Sequence, residues 1–296
     1  MSEQAVAGSG RPTLGNPASI RPIRGLHGKV AIVTGAGTLT DERGNGGAIA
    51  TLLAEDGATV LCVDRDKDLA MRTVSLLKDE GLRAFASCAD VTIEADCDRV
   101  VQEAVDQFGR VDILINNVGV LGPPGTAETT DVGAWARGLE LNVTSMMLMA
   151  KHAVPAMLRN EPKPHERGIR GSIVNMGSVA GLRGGTPSLL YPTSKGAVVN
   201  MTRAMAAHHG SRGIRVNCVC MVYSPMVSTA GEGMSAEMRE ARRKRSLLQT
   251  EGNVWDCAAA VRFLAGGEAR WITGTILTVD AGATCVTSIA WPEEAS

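Results

Sequence analysis

The 296-residue sequence predicts a Rossmann-type α/β fold, a doubly wound parallel sheet covered by helices on both faces. Three observations carry that expectation. Short apolar runs such as Val30–Val33 and Asp112–Ile115 lack strict polar alternation, so they read as strands buried on both sides. Helical patterns separate these runs, as right-handed crossovers between parallel strands require. The third is composition: 34 Gly against 3% aromatic residues implies a core of Val, Ile, Leu, Ala and Met in close-packed layers with tight turns.

Met1–His27 is rich in Gly, Pro, Ser and Arg without periodicity and is expected to form a flexible arm, or a strap lying on another subunit. Strand Val30–Val33 then leads through glycine-rich residues to a helix around Ala48–Glu55. Strand Thr59–Val63, helix Asp68–Glu80, strand Arg83–Cys88, helix Glu94–Phe108 and strand Asp112–Ile115 follow. A long helix is expected over Trp135–Leu158, a strand over Ser172–Asn175, a helix over Ser194–His209 and a strand over Arg215–Cys220. Helix Val254–Leu264 precedes the last strand, Thr275–Val279. These elements make one domain over 28–283, with a small substrate lid at about 225–249 and a C-terminal extension over 284–296.

Thirty Lys and Arg against 31 Asp and Glu leave a net charge of −1, which offers no footprint for nucleic acid or an anionic membrane. No apolar stretch reaches the roughly 18–20 residues of a membrane helix, and no apolar signal segment opens the chain. The seven Cys are scattered, with no Cys-x-x-Cys and no His at ligand spacing. No metal site is therefore expected. Reduced, buried thiols in a cytoplasmic protein are.

The first turn reads Thr34-Gly35-Ala36-Gly37-Thr38-Leu39-Thr40-Asp41-Glu42-Arg43-Gly44-Asn45-Gly46-Gly47 and opens a helix. Glycines there let the backbone approach a pyrophosphate and aim N–H groups at its oxygens from a helix N-terminus. Asp64 ends the next strand eighteen residues after Gly46, close to the spacing of a ribose-hydroxyl acceptor. A plain glycine turn would need neither that acid nor the flanking strand and helix. Asp90-Val91 follows the third strand, in place to flank an adenine, and Asn116-Asn117-Val118-Gly119 ends the fourth beside the cofactor.

Tyr191 and Lys195 are four apart, so on a helix they share one face. A phenol titrates near pH 10, too high for a base near neutrality, and a neighbouring ammonium favours its phenolate. Ser178 lies thirteen residues before Tyr191, just past a strand, in place to hydrogen-bond a substrate oxygen. Asn142 sits in the middle of the expected long helix, where Asn is disfavoured unless its amide has a task. Taken singly, each of these is more ordinary as a buried tyrosine, a surface lysine or a satisfied amide.

Together these residues resemble the short-chain dehydrogenase/reductase family, in its single-domain branch, over Leu26–Ala283. The markers are Thr34-Gly35…Gly44-x-Gly46, Asp90, Asn116-Asn117-x-Gly119, Asn142, Ser178, Tyr191-x-x-x-Lys195, Ile272-Thr273-Gly274 and Val279-Asp280-Ala281-Gly282. The resemblance implies NAD(P)-dependent interconversion of a secondary alcohol and a ketone. Tyr191 would be the acid/base, and Ser178 would polarise the substrate oxygen. Lys195 would bind the nicotinamide ribose and favour the phenolate, and Asn142 would hold a relay water. Asp64 points to NAD, while Arg43 and Arg65 keep NADP open.

Three departures stand out. Gly44 follows Gly35 by nine positions where the pattern has four, and Asn45 replaces an apolar residue. Met221-Val222 stands where the family has Pro-Gly beside the nicotinamide, leaving Ser224 as a candidate contact. The loop Asn160–Gly171 is longer than usual. The altered turn keeps a second reading open: a non-redox or regulatory nicotinamide-binding protein of the same fold.

Substrate selection is expected in Pro225–Gln249, Leu121–Gly125 and Leu182–Leu190. Met226, Met234, Met238, Leu247 and Leu248 suggest an apolar inner face for a mobile lid, and the basic run Arg239–Arg245 a solvated helix face. A moderately hydrophobic or cyclic alcohol or ketone fits this best. Met146, Met147 and Met149, with Val198, Met201 and Met205, place apolar residues on more than one helix face, which suggests a homotetramer or dimer.

Overall fold

The computed structural model describes residues 21–39, 42–162, 164–222 and 234–286. Seven parallel strands form one sheet: β1 (Val30–Thr34), β2 (Thr59–Asp64), β3 (Ala84–Cys88), β4 (Ile113–Asn116), β5 (Gly171–Met176), β6 (Ile214–Met221) and β7 (Ile276–Val279). Their order is β3-β2-β1-β4-β5-β6-β7, so the winding reverses between β1 and β4. Ile32 lies beside Leu114 there. A crevice opens at such a reversal, at the C-terminal ends of the strands.

The helices are α1 (Asn45–Glu55), α2 (Lys67–Asp79), α3 (Glu94–Phe108), α4 (Val132–Leu139), α5 (Ser145–Leu158), α6 (Leu190–His209), α7 (Ala236–Arg245) and α8 (Val254–Ala265). Alternate residues of a strand face opposite layers. Ala31 and Val33 accordingly join α1, α2 and α8 in one core, while Val30 and Ile32 join α3, α5 and α6 in another. The helix ends follow capping chemistry. Asp66 accepts from the Asp68 and Leu69 amides, Asn253 and Asp256 form a capping box on α8, and Gly109 ends α3 at φ 80°. Arg215, 4% exposed, donates to the carbonyls of Leu264, Ala265, Gly266 and Ile272, tying β6 to the end of α8.

Several boundaries differ from the sequence expectation. Helix α6 begins at Leu190 rather than Ser194, because Pro192 falls in the first turn, where no backbone N–H is needed. The long helix expected over Trp135–Leu158 is two helices joined by a π-helical turn, Glu140–Thr144. Within the expected arm, Leu26 is buried and its amide donates to the Asp56 carbonyl at 2.7 Å. The part before residue 21 lies outside the described residues.

The long loop before β5 closes the sheet at the strands' N-terminal ends, away from the crevice. Asn160 Nδ2 donates to the Val111 carbonyl at 2.7 Å, and Lys29 bridges Asp112 and Glu166. Met146, Met149, Val198 and Met205 pack in the chain's own core, and of that set only Met147 is exposed, at 41%. No helix of the described residues is long and apolar enough to cross a membrane.

Candidate active site

The crevice is built by three strand-end turns. Thr34 Oγ1 donates to the Ile115 carbonyl and accepts from the Asn117 amide at 3.1 Å, locking the β1 and β4 turns together. Asn117 Nδ2 donates to the Gly35 carbonyl at 2.9 Å. Gly46 has to be glycine for this contact, since a Cβ there would lie 2.2 Å from the Gly35 oxygen. Gly44 is the N-cap of α1, without a side-chain cap, and among the described residues nothing lies within 4 Å of where a Cβ would project.

Asp64 closes β2 with both oxygens aimed by the backbone. Oδ2 accepts from the Gly37 amide at 2.9 Å and Oδ1 from the Asp66 amide at 3.1 Å. Lone pairs remain for further donors. Gly37 was not singled out from sequence; its signal was the Gly35-x-Gly37 pair, masked by the length of the turn. The Arg43 stem lies beside Gly47 in the first turn of α1. Its guanidinium pairs with Glu80 at the end of α2 and lies 5.9 Å from the Trp255 ring. Asp90 accepts from the Thr92 amide and hydroxyl, and Val91 is buried; Asp90 borders an open concavity with Arg65, Asp66, Lys67, Cys88 and Ala89.

On the other wall, α6 carries Tyr191 in its first turn and Lys195 one turn on. The Lys195 ammonium is 5.9 Å from the Tyr191 ring centroid and donates to the Met176 carbonyl at 2.8 Å. It is 4% exposed, and burial pushes its pKa down from 10.5 to about 8. Among the described residues no carboxylate pairs with it. Gly119 keeps it reachable: a Cβ there would sit 3.0 Å from Nζ. Ser178 opens the short 3-10 turn after β5, which packs on α6. Its Oγ accepts from the Ala180 amide at 3.1 Å, leaving the hydroxyl proton to be donated outward.

Asn142 lies in the π turn, fully buried. Its Oδ1 accepts from the Val120 amide at 2.7 Å, and Nδ2 donates to the Val120 carbonyl at 2.8 Å and the Ser194 hydroxyl at 2.9 Å. Both amide protons are thus used in clamping the β4 turn to α6. The side chain positions that turn, and it has no N–H left for a relay water. Ser194, which closes the clamp, carried no signal in the sequence.

The lid region is described only from residue 234, so Ser224 and Met226 lie outside the described residues. Helix α7 has no buried residue. Its basic run is ion-paired at the surface, Arg239 with Glu251 and Arg243 with Glu240. Of the residues expected on an apolar inner face, Met238, Leu247 and Leu248 are exposed. All seven Cys are free; Cys88 and Cys285 are exposed rather than buried.

A glycine-capped helix N-terminus, an aimed carboxylate and a buried lysine beside a tyrosine line the crevice at the C-terminal edge of the sheet. Comparison with known proteins gives the family. A model described as enoyl-(acyl carrier protein) reductase matches residues 39–284. The chain is 36% identical over 267 residues to 2-(S)-hydroxypropyl-CoM dehydrogenase 3 of Xanthobacter autotrophicus, covering 88% of this chain and 98% of the relative. It is 34% identical over 286 residues to (+)-borneol dehydrogenase 2 of Salvia officinalis, covering 93% and 95%. A crystal structure described as a short-chain dehydrogenase/reductase from Burkholderia xenovorans superimposes with a TM-score of 0.80 at 36% identity, covering 89% of this chain and 99% of the other. The chain belongs to the short-chain dehydrogenase/reductase family. It is an NAD(P)-dependent oxidoreductase that interconverts a secondary alcohol and a ketone.

Proposed function

We propose that Tyr191 is the proton acceptor and donor of this reaction, supported by Ser178 and Lys195, with NAD as the coenzyme. The observation that carries this reading is the buried Lys195 ammonium 5.9 Å from the Tyr191 ring, with no carboxylate paired to it among the described residues. A bound nicotinamide supplies the hydride acceptor for oxidation and the donor for reduction. Tyr191 Oη removes the hydroxyl proton as the C–H bond breaks, and returns it in the reverse direction. Lys195 would hold the phenolate charge and donate to the ribose of the bound dinucleotide, with Gly119 leaving Nζ reachable. Ser178 donates to the substrate oxygen, and Asn142 positions the wall through Val120 and Ser194. Gly35, Gly44 and Gly46, with the backbone amide of Asn45, which any side chain there would leave in place, would hold the pyrophosphate end, with Asn117 and Gly119 beside the ring and Asp90 and Val91 beside the adenine.

NAD is favoured because the Asp64 carboxylate is already aimed by two amides and would repel a 2′-phosphate, while Arg43 is engaged by Glu80 and Trp255. The substrate is a moderately hydrophobic or cyclic alcohol or ketone, in keeping with the borneol dehydrogenase among the relatives. Absorbance of reduced nicotinamide with a panel of secondary alcohols is expected to show turnover with NAD at least tenfold above NADP. Asp64→Ala should shrink that ratio. Equal or stronger use of NADP by the wild type would overturn this reading of Asp64.

We further infer a cytoplasmic protein, in keeping with seven unpaired thiols, and a homotetramer. With Met146, Met149 and Met205 packed inside the subunit, the support for assembly comes from exposed apolar side chains such as Met147, Val132 and Trp271. Light scattering should give four times the 31.0 kDa of the chain; a monomer mass would refute assembly.

A further inference from the structure

Two departures from the family pattern, 176 positions apart, meet in the fold. Asn45 is the first residue of α1 and stands between the last two glycines; Met221 ends β6 and stands where relatives have proline. Asn45 Nδ2 donates to Met221 Sδ at 3.2 Å. A thioether is a weak acceptor, yet it settles which end of the amide points where. The other end, Oδ1, is buried and has no hydrogen-bond partner among the described residues. Buried Asn142 and Asn217 use both ends of their amides, while Asn116 Oδ1, deep between β4 and β5 and away from the crevice wall, shares the unpaired state of Asn45 Oδ1. An unmade bond at a buried amide oxygen costs about 1–3 kcal/mol, so the oxygen calls for a donor that the described chain does not provide.

Its position says what that donor is. Asn45 lies at the helix N-terminus after β1 and Met221 at the end of β6, both on the C-terminal edge of the sheet. They form the α1 side of the crevice whose other wall bears Tyr191 and Lys195. Where relatives rely on a Pro-Gly turn beside the nicotinamide, this chain presents a side-chain amide. We infer that Asn45 Oδ1 accepts a hydrogen bond from the carboxamide NH2 of the nicotinamide, held for that purpose by Met221, so that the pair orients the ring. This rests on the nicotinamide-binding reading above.

The test measures equilibrium binding of the binary complexes, without turnover. The full chain is titrated with NAD, with the 3-acetylpyridine analogue, whose methyl replaces the amide NH2, and with ADP-ribose, which lacks the ring. The wild type is expected to bind NAD about tenfold more tightly than the acetylpyridine analogue, the factor for one hydrogen bond of this kind. Asn45→Ile, which restores an apolar residue, should bind the two within about twofold and keep wild-type affinity for ADP-ribose. Met221→Leu, which keeps the volume and removes the sulfur, should give an intermediate preference. Equal wild-type binding of NAD and the analogue overturns the inference without any variant. So does an unchanged preference in Asn45→Ile, or an equal loss of ADP-ribose affinity. Failure to bind NAD at all would remove the nicotinamide reading itself, whereas binding without discrimination removes only the role of Asn45.

Discussion

Tyr191→Phe is expected to lower kcat/KM for a secondary alcohol about 10³-fold while leaving the dissociation constant for the dinucleotide within about twofold, as loss of a general acid/base group alone would do. The substitution removes one oxygen and leaves the ring, whose place in the first turn of α6 is set by backbone contacts. The Tyr191 amide donates to Ser188 Oγ at 3.3 Å, and its carbonyl accepts from Ser194 Oγ at 2.9 Å. Neither bond involves the phenol, so the clamp through Ser194 to Asn142 should survive. Steady-state kinetics alongside a binding titration separate the two effects. Turnover near wild type would remove Tyr191 from the mechanism.

Lys195→Met should also abolish most turnover, again by about 10³-fold, and yet yield a protein at least as stable as the wild type at pH 7. The folded protein holds the ammonium where its pKa falls from 10.5 to about 8, chiefly by burial, an unfavourable contribution of about 3 kcal/mol at neutral pH. Met keeps an unbranched chain without the charge. It leaves the Met176 carbonyl without its donor, a loss of about 1–3 kcal/mol that offsets part of the gain. The sign against pH is the sharper test. Between pH about 8 and 10.5 the unfolded chain still binds the Lys195 proton and the folded one does not, so wild-type stability rises with pH across that window. Relative to the variant, the wild type should therefore gain about 3 kcal/mol between pH 7 and 10.5. Urea unfolding of both proteins at each pH measures the difference, in which other titrations cancel. A pH-independent difference would contradict the buried-ammonium account.

Such a lysine is a liability to the fold and an asset to the site. Nothing in the packing of α6 asks for a cation at that position. What asks for it is the phenol one turn away and the ribose it would meet across Gly119. Catalytic need and stability pull in opposite directions at this residue, which is why its variant should lose one and keep the other.

Much of this was legible in the chain itself. The alternation of apolar runs and helical periods is local, so the seven strands and most helices were placed to within a few residues, and Glu94–Phe108 to the residue. The Tyr191–Lys195 spacing fixes a shared helix face through backbone geometry alone. The glycine turn with Asp64 beyond it marked the crevice, because close backbone approach leaves no alternative residue at Gly46. The break in the long helix was not legible. The π turn inserts one residue into a continuous apolar pattern and is paid for by tertiary bonds from Asn142 to Val120 and Ser194.

The remaining surprises share one cause. Arg43 could be placed near the phosphates by position, but which carboxylate it pairs with depends on where the end of α2 lies. The long loop before β5 could be recognised as long, but only the sheet shows that it seals the end away from the site. Asn45 and Met221 each stood out as an exception to a pattern, and their contact spans 176 positions. Periodicity and spacing act over a turn or two of chain, where covalent geometry dictates which side chains share a face. Pairings across the sheet depend on the packing of whole layers, and only the folded structure reveals them.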